Sequence, residues 1–187
     1  MKAGGVRFKA IWTGGTAMDF HGIGYFQALA RYNRWANRRL YEACLAMPLR
    51  EYVKDRLAFF SSIGNTLNHI LVADRIWLAR LQGVPPENNE LGTILHPECA
   101  DLWQARQRED DFIIGLFDGF NDGNLGVTLK YTDTEGVPTV IPASMAFGHF
   151  FNHQTHHRGQ AHNMVSQAGL APPPLDFSYF YFENNRA

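Results

Sequence analysis

The chain has 187 residues, of which 45% are hydrophobic and 19% charged, and its 17 basic and 18 acidic residues leave a net charge of -1. This composition is typical of one globular domain with a substantial core. The balanced charge provides no electrostatic footprint for nucleic acid, so we expect no nucleic-acid partner. No run approaches the roughly 20 apolar residues of a membrane helix, so we expect no membrane association.

Residues 1–20 are predicted to form an N-terminal arm, and residues 21–187 a single domain. Glycines and an aspartate interrupt the apolar residues of the arm, which argues against a signal peptide. The two cysteines, Cys44 and Cys99, are too few for a disulfide framework. These features together predict a protein of the reducing cytoplasm.

Three segments with apolar residues at helical spacing follow in chain order, at residues 26–47, 57–81 and 97–120. Pro48 ends the first, and Gly83 with the prolines after it ends the second. The third segment stops at the sequence "NDGN", which favours a turn. Each segment is therefore predicted to be a long amphipathic helix.

The next segment, "LGVTLKYTDTEGVPTVI", alternates apolar and polar residues around a turn sequence, which predicts a short hairpin. A fourth helix is predicted over residues 142–168, with Gly169 after its end. The aromatic tail "LDFSYFYF" is predicted to pack back on the body. We therefore expect an all-α fold: a four-helix bundle with a long crossover connection and a short hairpin-like excursion before the last helix.

Five of the eight histidines lie in "HFFNHQTHHRGQAH", residues 149–162 of the fourth predicted helix. His153 and His157 are four apart, so they lie on one helix face, within a stripe that is otherwise apolar. Two such imidazoles facing a bundle interior form a clamp for a transition metal, whereas burial without partners would be costly. The HxxxH spacing alone is equally compatible with satisfied core histidines, so a metal site requires a third ligand.

His69, beside the apolar stripe of the second predicted helix, is the best third ligand, because second and fourth helices of a bundle can face one point. A rival trio of His149, His153 and His156 also shares one helix face. One straight helix cannot easily place three ligands around one ion, which favours His69. Two weaker candidates, near predicted helix starts, are His21 and His96.

Several polar residues near these histidines could orient their rings. They are Asn65, Asn68, Gln154 and Gln160. Asn33 interrupts the apolar stripe of the first predicted helix. We expect its side chain to form an interhelical hydrogen bond rather than to belong to the metal site. Arg158 could steer an anionic substrate, although an arginine on a helix shoulder is more often a solvated side chain.

The sequences "YNRWANRRL", "NHILVADRIWLARL", "YTDTEGVP" and "NHQTHHRGQ" occur in this order, and over about residues 25–182 the chain resembles the DinB family. The resemblance implies that His69, His153 and His157 are metal ligands and that the chain forms a homodimer. The family usually begins near residues 18–25, so the N-terminal arm departs from its pattern.

The resemblance also implies a reaction that depends on a divalent metal. Three histidines leave a coordination position open for a water or a thiolate on a divalent metal, with zinc first and nickel, iron or manganese as alternatives. Relatives of this fold are thiol-dependent, which implies an S-transferase using a low-molecular-weight thiol, or a hydrolase, with a small-molecule substrate. The alternatives are a non-catalytic metal-binding or stress-response dimeric bundle, or incidental histidines. Ile114 and Phe117 are the predicted dimer patch.

Overall fold

The structure is a computed structural model that describes residues 20–185. The predicted arm of residues 1–20 therefore lies outside the described part of the chain, except for Phe20. The elements in chain order are α1 (Gly22–Leu45), α2 (Leu49–Tyr52), α3 (Ile63–Gln82), α4 (Cys99–Asp118), a 3-10 turn (Asp122–Gly126), β1 (Thr128–Thr132), β2 (Pro138–Pro142), α5 (Ala143–Gln167) and α6 (Phe177–Asn185).

Helices α1, α3, α4 and α5 form the predicted four-helix bundle, in which α1 packs on α4 and α5, and α3 packs on α5 and α4. The helices α1 and α4 are antiparallel, because Arg31 near the start of α1 pairs with Asp118 at the end of α4. The helices α3 and α5 are also antiparallel, since Trp77 near the end of α3 contacts His149 near the start of α5.

The long connection between α3 and α4 is the predicted crossover. Leu71 of α3 clusters with Leu102 of α4, and Leu78 clusters with Ile113, so these two helices run parallel. Residues 83–98 must therefore return along the length of the bundle before α4 begins. This return brings a backbone segment alongside the first half of α3.

Besides the apolar cluster that packs α6 on α1, the core of the described residues has two apolar clusters, one in each half of the bundle. Between them lies a layer of buried polar and charged side chains that all four long helices contribute. Its members are Asn33, Asn37, Asp74, Arg106, Asp110, Gln154 and Arg158. Buried charges are tolerated only when they are paired and hydrogen-bonded, so this layer constrains how the helices meet.

The second predicted helix begins later than its apolar pattern indicates, at Ile63 rather than at residue 57. Ser61 has a φ of 58°, in the left-handed region, which interrupts any helix. Ser62 then caps α3, since its side chain accepts the Asn65 N–H. Residues 57–61, including Phe60, therefore form a loop at the start of α3.

The hairpin and the aromatic tail lie where the sequence predicts them. Strands β1 and β2 are antiparallel, and the Asp133 carboxylate accepts the N–H groups of Glu135 and Val137 in their turn. The tail forms α6, whose Phe180 is buried against the aromatic side chains of α1. Within residues 20–185, none of the helices has the length and apolar character needed to cross a bilayer.

Candidate metal centre

Three histidines converge where α3 and α5 cross. His69 comes from α3, and His153 and His157 come from successive turns of α5. One ring nitrogen from each of the three lies within 4.8 Å of those from the other two, and the Nε2 atoms of His69 and His153 are 3.2 Å apart. Within residues 20–185, no cysteine or carboxylate joins this cluster. The arrangement could hold a metal ion.

Hydrogen bonds at the outer nitrogens of two rings determine which nitrogens face the centre. The Nδ1 atom of His69 lies 3.0 Å from the Leu91 carbonyl oxygen, and that of His157 lies 2.9 Å from the Gln160 Oε1. Both acceptors favour a proton on Nδ1, so each neutral ring keeps an Nε2 lone pair. The neutral His153 ring carries one N–H, which can donate to only one of these two Nε2 lone pairs. At least one lone pair in the cluster is therefore left without a donor, and a bound cation would satisfy it.

The three rings are held in the neutral form that a metal requires. Burial, followed by the neighbouring histidines, lowers the pKa of His153 to about 3. Burial also lowers the pKa of His157 to about 4, against the hydrogen bond that its Nδ1 donates to Gln160, and it lowers the pKa of His69. At neutral pH the rings therefore do not need to release protons before they bind a cation.

A cleft of about 660 Å³ opens over the cluster. Its walls are the loop before α3 and the crossover, and its floor is the histidine face of α5. The lining residues are Phe59, Phe60, His69, Leu91, Gly92, His153, His156, His157 and Gln160. The ring of Phe60 stacks on that of His69 with centroids 3.9 Å apart. The cluster is therefore buried on the bundle side and accessible from the cleft.

Neither cysteine supplies a thiolate to this site. Both are free, and burial raises the pKa of the Cys99 thiol to about 11 and that of Cys44 further. At neutral pH both thiols remain protonated. A thiolate at this site would therefore have to come from another molecule.

One of the four predicted supporting side chains contacts the cluster, and this is Gln160, through His157. Asn68 instead donates to the His96 carbonyl and accepts its N–H, at 2.9 Å each, so it fixes the crossover that carries the Leu91 carbonyl. Asn65 contacts the serines that precede α3. The Leu91 contact itself was missed, because a backbone acceptor in an irregular segment has no sequence signature.

The prediction that Arg158 is solvated or steers a substrate is wrong, because this side chain is 3% exposed within the polar layer. It donates to the side-chain oxygens of Asn33 and Asn37. Asn33 therefore has the predicted interhelical role. Gln154 was also predicted at the imidazoles, but it donates to Asp74, at 2.8 Å.

The rival histidines lie outside the cluster. His149 packs on Trp77 with ring centroids 4.7 Å apart, and its ring centroid is 5.8 Å from that of His153. His156 is exposed, with its Nε2 3.1 Å from Gln160 Nε2. Neither histidine belongs to the group that could hold an ion, nor do His21, before α1, and His96, in the crossover.

The fold and this cluster define a class: four-helix bundles with three converging histidines that could hold a metal ion. The sequence model of the DinB family matches residues 19–186, and the chain therefore belongs to the DinB family. It is 24% identical to "Protein DinB" of Bacillus subtilis (strain 168) over 161 residues, which cover 82% of this chain and 92% of that protein.

A solved structure supports the same fold. The crystal structure of a DinB-like protein from Bacillus cereus ATCC 10987 superposes with a TM-score of 0.60 at 21% identity, covering 81% of this chain and 95% of that one. At this identity the similarity concerns the fold alone.

Proposed function

We propose that the protein is a divalent-metal-dependent enzyme whose ligands are His69, His153 and His157, and that it acts on a small molecule. The observation that carries this proposal is the convergence of three neutral imidazoles under an open cleft, with no fourth protein ligand among residues 20–185. Structural metal sites are usually closed by a fourth protein ligand, whereas catalytic sites keep a position open.

The donor set fits a transition metal. A tetrahedral ion with metal–nitrogen distances of about 2.0–2.1 Å separates its ligand nitrogens by about 3.3 Å. The 3.2 Å between the Nε2 atoms of His69 and His153 is close to this separation. Zinc is the first choice, and nickel, iron or manganese also suit imidazole ligands.

When bound, such a metal lowers the pKa of a water or thiol that occupies its open position. Three residues of the chain would position the ligands of such a metal. The Leu91 carbonyl and Gln160 hold the rings of His69 and His157 with Nε2 toward the centre, and Phe60 covers the His69 ring. The thiol-dependent relatives implied by the resemblance support an S-transferase that uses a low-molecular-weight thiol, with a hydrolase as the second choice; since neither cysteine is ionised at neutral pH, that thiol would come from another molecule.

The test begins with metal analysis of untagged protein that has never contacted a nickel column. About one equivalent of metal per chain is expected. The metal-loaded protein is then screened with small thiols and electrophiles, by following consumption of the thiol. Metal without turnover would favour the alternative, a non-catalytic metal-binding or stress-response protein, whereas absence of metal would contradict the proposal.

We also propose that the chain forms a homodimer and functions in the cytoplasm. The predicted dimer patch requires correction, because Phe117 is fully buried in the core and Ile114 packs against the same cluster. Phe112 on the same helix is 45% exposed and is a better candidate. Sedimentation at micromolar concentration tests the dimer, and a monomer would contradict it. The two free cysteines agree with a reducing compartment.

A further inference from the structure

The loop before α3 places apolar side chains at the mouth of the cleft. Phe59 lines the cleft with 88% of its surface exposed, and Leu57 of the same loop is fully exposed. The next residue, Phe60, stacks on the His69 ring. Single exposed apolar residues are common, but a phenyl ring that lines a cleft above a candidate metal centre indicates ligand contact.

Hydrogen bonds hold the loop that exposes Phe59 in a defined shape. The N–H of Arg56 donates to the Ser61 carbonyl at 2.6 Å, and the N–H of Ser61 donates to the Ala58 carbonyl at 2.9 Å. The Arg56 side chain anchors the loop by donating to the Glu51 carbonyl and carboxylate at 2.7 and 2.9 Å. The loop therefore has a defined conformation that presents Phe59.

The backbone of this loop is strained next to the site. Among residues 20–185, Ser61 is the one non-glycine residue with a positive φ, at 58°. A non-glycine residue in this region is strained by the contact of its Cβ with the backbone, and such strain is retained at ligand-binding segments. The strain falls between Phe60, which covers the cluster, and Ser62, which caps α3.

The remaining walls match an apolar ligand. Leu91 and Gly92 face the cleft from the crossover, and among residues 20–185 no aspartate, glutamate, lysine or arginine lines it. Within this described part of the chain, the polar lining side chains are those of the histidines and Gln160. A ligand body that carries charge would lose its hydration here without gaining an ionic partner.

We propose that the cleft binds a small molecule with an uncharged, phenyl-sized apolar body that packs on Phe59 and Leu91, while its thiol head lies where it would bind a metal held by the three imidazoles. This inference rests on the proposed function, because the head requires the metal. It adds to that function the chemical class of the ligand body.

The experiment compares two thiols on zinc-loaded protein whose zinc content is measured first. Benzyl mercaptan carries the apolar body and 2-mercaptoethanol does not, and both are titrated by calorimetry. In Phe59→Ala the affinity for benzyl mercaptan should fall about tenfold, whereas that for 2-mercaptoethanol should change less than about twofold. Phe59→Leu should retain most of the affinity. The control is Phe182→Ala, an exposed phenylalanine of α6 that does not line the cleft and should leave both affinities unchanged.

The outcomes separate this inference from the proposed function. If zinc is retained and Phe59→Ala leaves benzyl mercaptan binding unchanged, or weakens both thiols equally, the ligand class is wrong and the metal centre stands. If zinc is not retained, the proposed function fails, and this inference fails with it. If Phe59→Ala converts a dimer to a monomer in sedimentation while benzyl mercaptan binds as before, Phe59 belongs to an interface and the inference is overturned.

Discussion

At the scale of single residues, Gln160 connects two neighbouring histidines that have different surroundings. Its Oε1 accepts from the Nδ1 of half-buried His157, and its Nε2 donates to the Nε2 of exposed His156. Adjacent residues of a helix point about 100° apart, so only His157 of this pair faces α3. The difference between the two rings is therefore one of direction around α5.

We predict that His157→Ala and His156→Ala have different effects on metal content. Loss of His157 removes a ligand, so metal affinity should fall by more than the roughly 10–100-fold that loss of a supporting residue costs. Loss of His156 should leave about one metal per chain, because its ring contacts Gln160 and the His157 ring but does not belong to the converging group. The measurement is metal per chain after dialysis of each variant. Equal loss in both variants would contradict the assignment of the helix face.

Gln160 itself provides a second prediction. Without its acceptor, the His157 ring loses the bond that favours Nδ1–H and an inward Nε2, so Gln160→Met should weaken metal binding about 10–100-fold. Gln167→Met is the matched control, since Gln167 is an exposed residue at the end of the same helix. Competition with a chromogenic chelator measures both affinities. Equal affinities would show that packing alone, from rings such as Phe60, orients His157.

How far the sequence predicts this site depends on whether each contact is local. His153 and His157 lie on one helix, so their spacing is enough to place them on one face. His69 is 84 residues from His153, and spacing gave only a preference for it; the family resemblance provided the rest. The burial of Arg158 was not predictable, because its partners, Asn33 and Asn37, come from α1.

At the scale of elements, the polar layer determines how the four long helices pack. Asp110 of α4 accepts from Asn33 and Asn37 of α1 at 3.1 and 3.0 Å, and its Oδ1 is 3.0 Å from an Nη2 of Arg106. Arg106 also donates to Asp74 of α3. Each of these contacts requires one rotation of each helix, so the layer favours a single arrangement of the bundle and of the histidines on it.

We predict that Asp110→Ala destabilises the fold strongly, whereas Asp111→Ala does not. Removing Asp110 takes away one of the two carboxylates paired with buried Arg106 and the acceptor that the Asn33 and Asn37 amides share, which should cost about 3–5 kcal/mol. Asp111 is the adjacent residue and pairs with Arg34, but both side chains are more than half exposed, so its loss should cost less than about 1 kcal/mol. Urea denaturation measures both free energies of unfolding. Similar values would mean that the layer contributes no more than a surface ion pair.

The helix boundaries show which parts of the elements were predictable. Apolar periodicity placed all four long helices, because each has to bury one face. The start of α3 was wrong, because "LAFF" continues the apolar pattern of that helix into the loop. The actual start depends on the left-handed Ser61 and on the Ser62 cap, and two consecutive serines do not indicate which one ends the loop.

At the scale of the whole molecule, the candidate metal centre joins two helices that are distant in sequence. The cluster connects α3 to α5, and the Leu91 contact adds the crossover between α3 and α4. A metal at this point would bind the folded chain far better than the unfolded chain, in which His69 lies far from the other two. Folding and metal binding should therefore be coupled.

We predict that a chelator lowers the melting temperature of the metal-loaded protein. A ligand at about 1,000 times its Kd stabilises the folded state by about 4 kcal/mol. For a chain of this size, each kcal/mol corresponds to about 2–4 °C, so the shift should be about 10 °C. His157→Ala is the control, since it should melt at one temperature with or without chelator. Melting is followed by circular dichroism at fixed protein concentration. If the wild-type curve does not move although metal analysis shows that the ion has left, the metal does not stabilise the contact between α3 and α5, and the polar layer is sufficient to hold the histidines together.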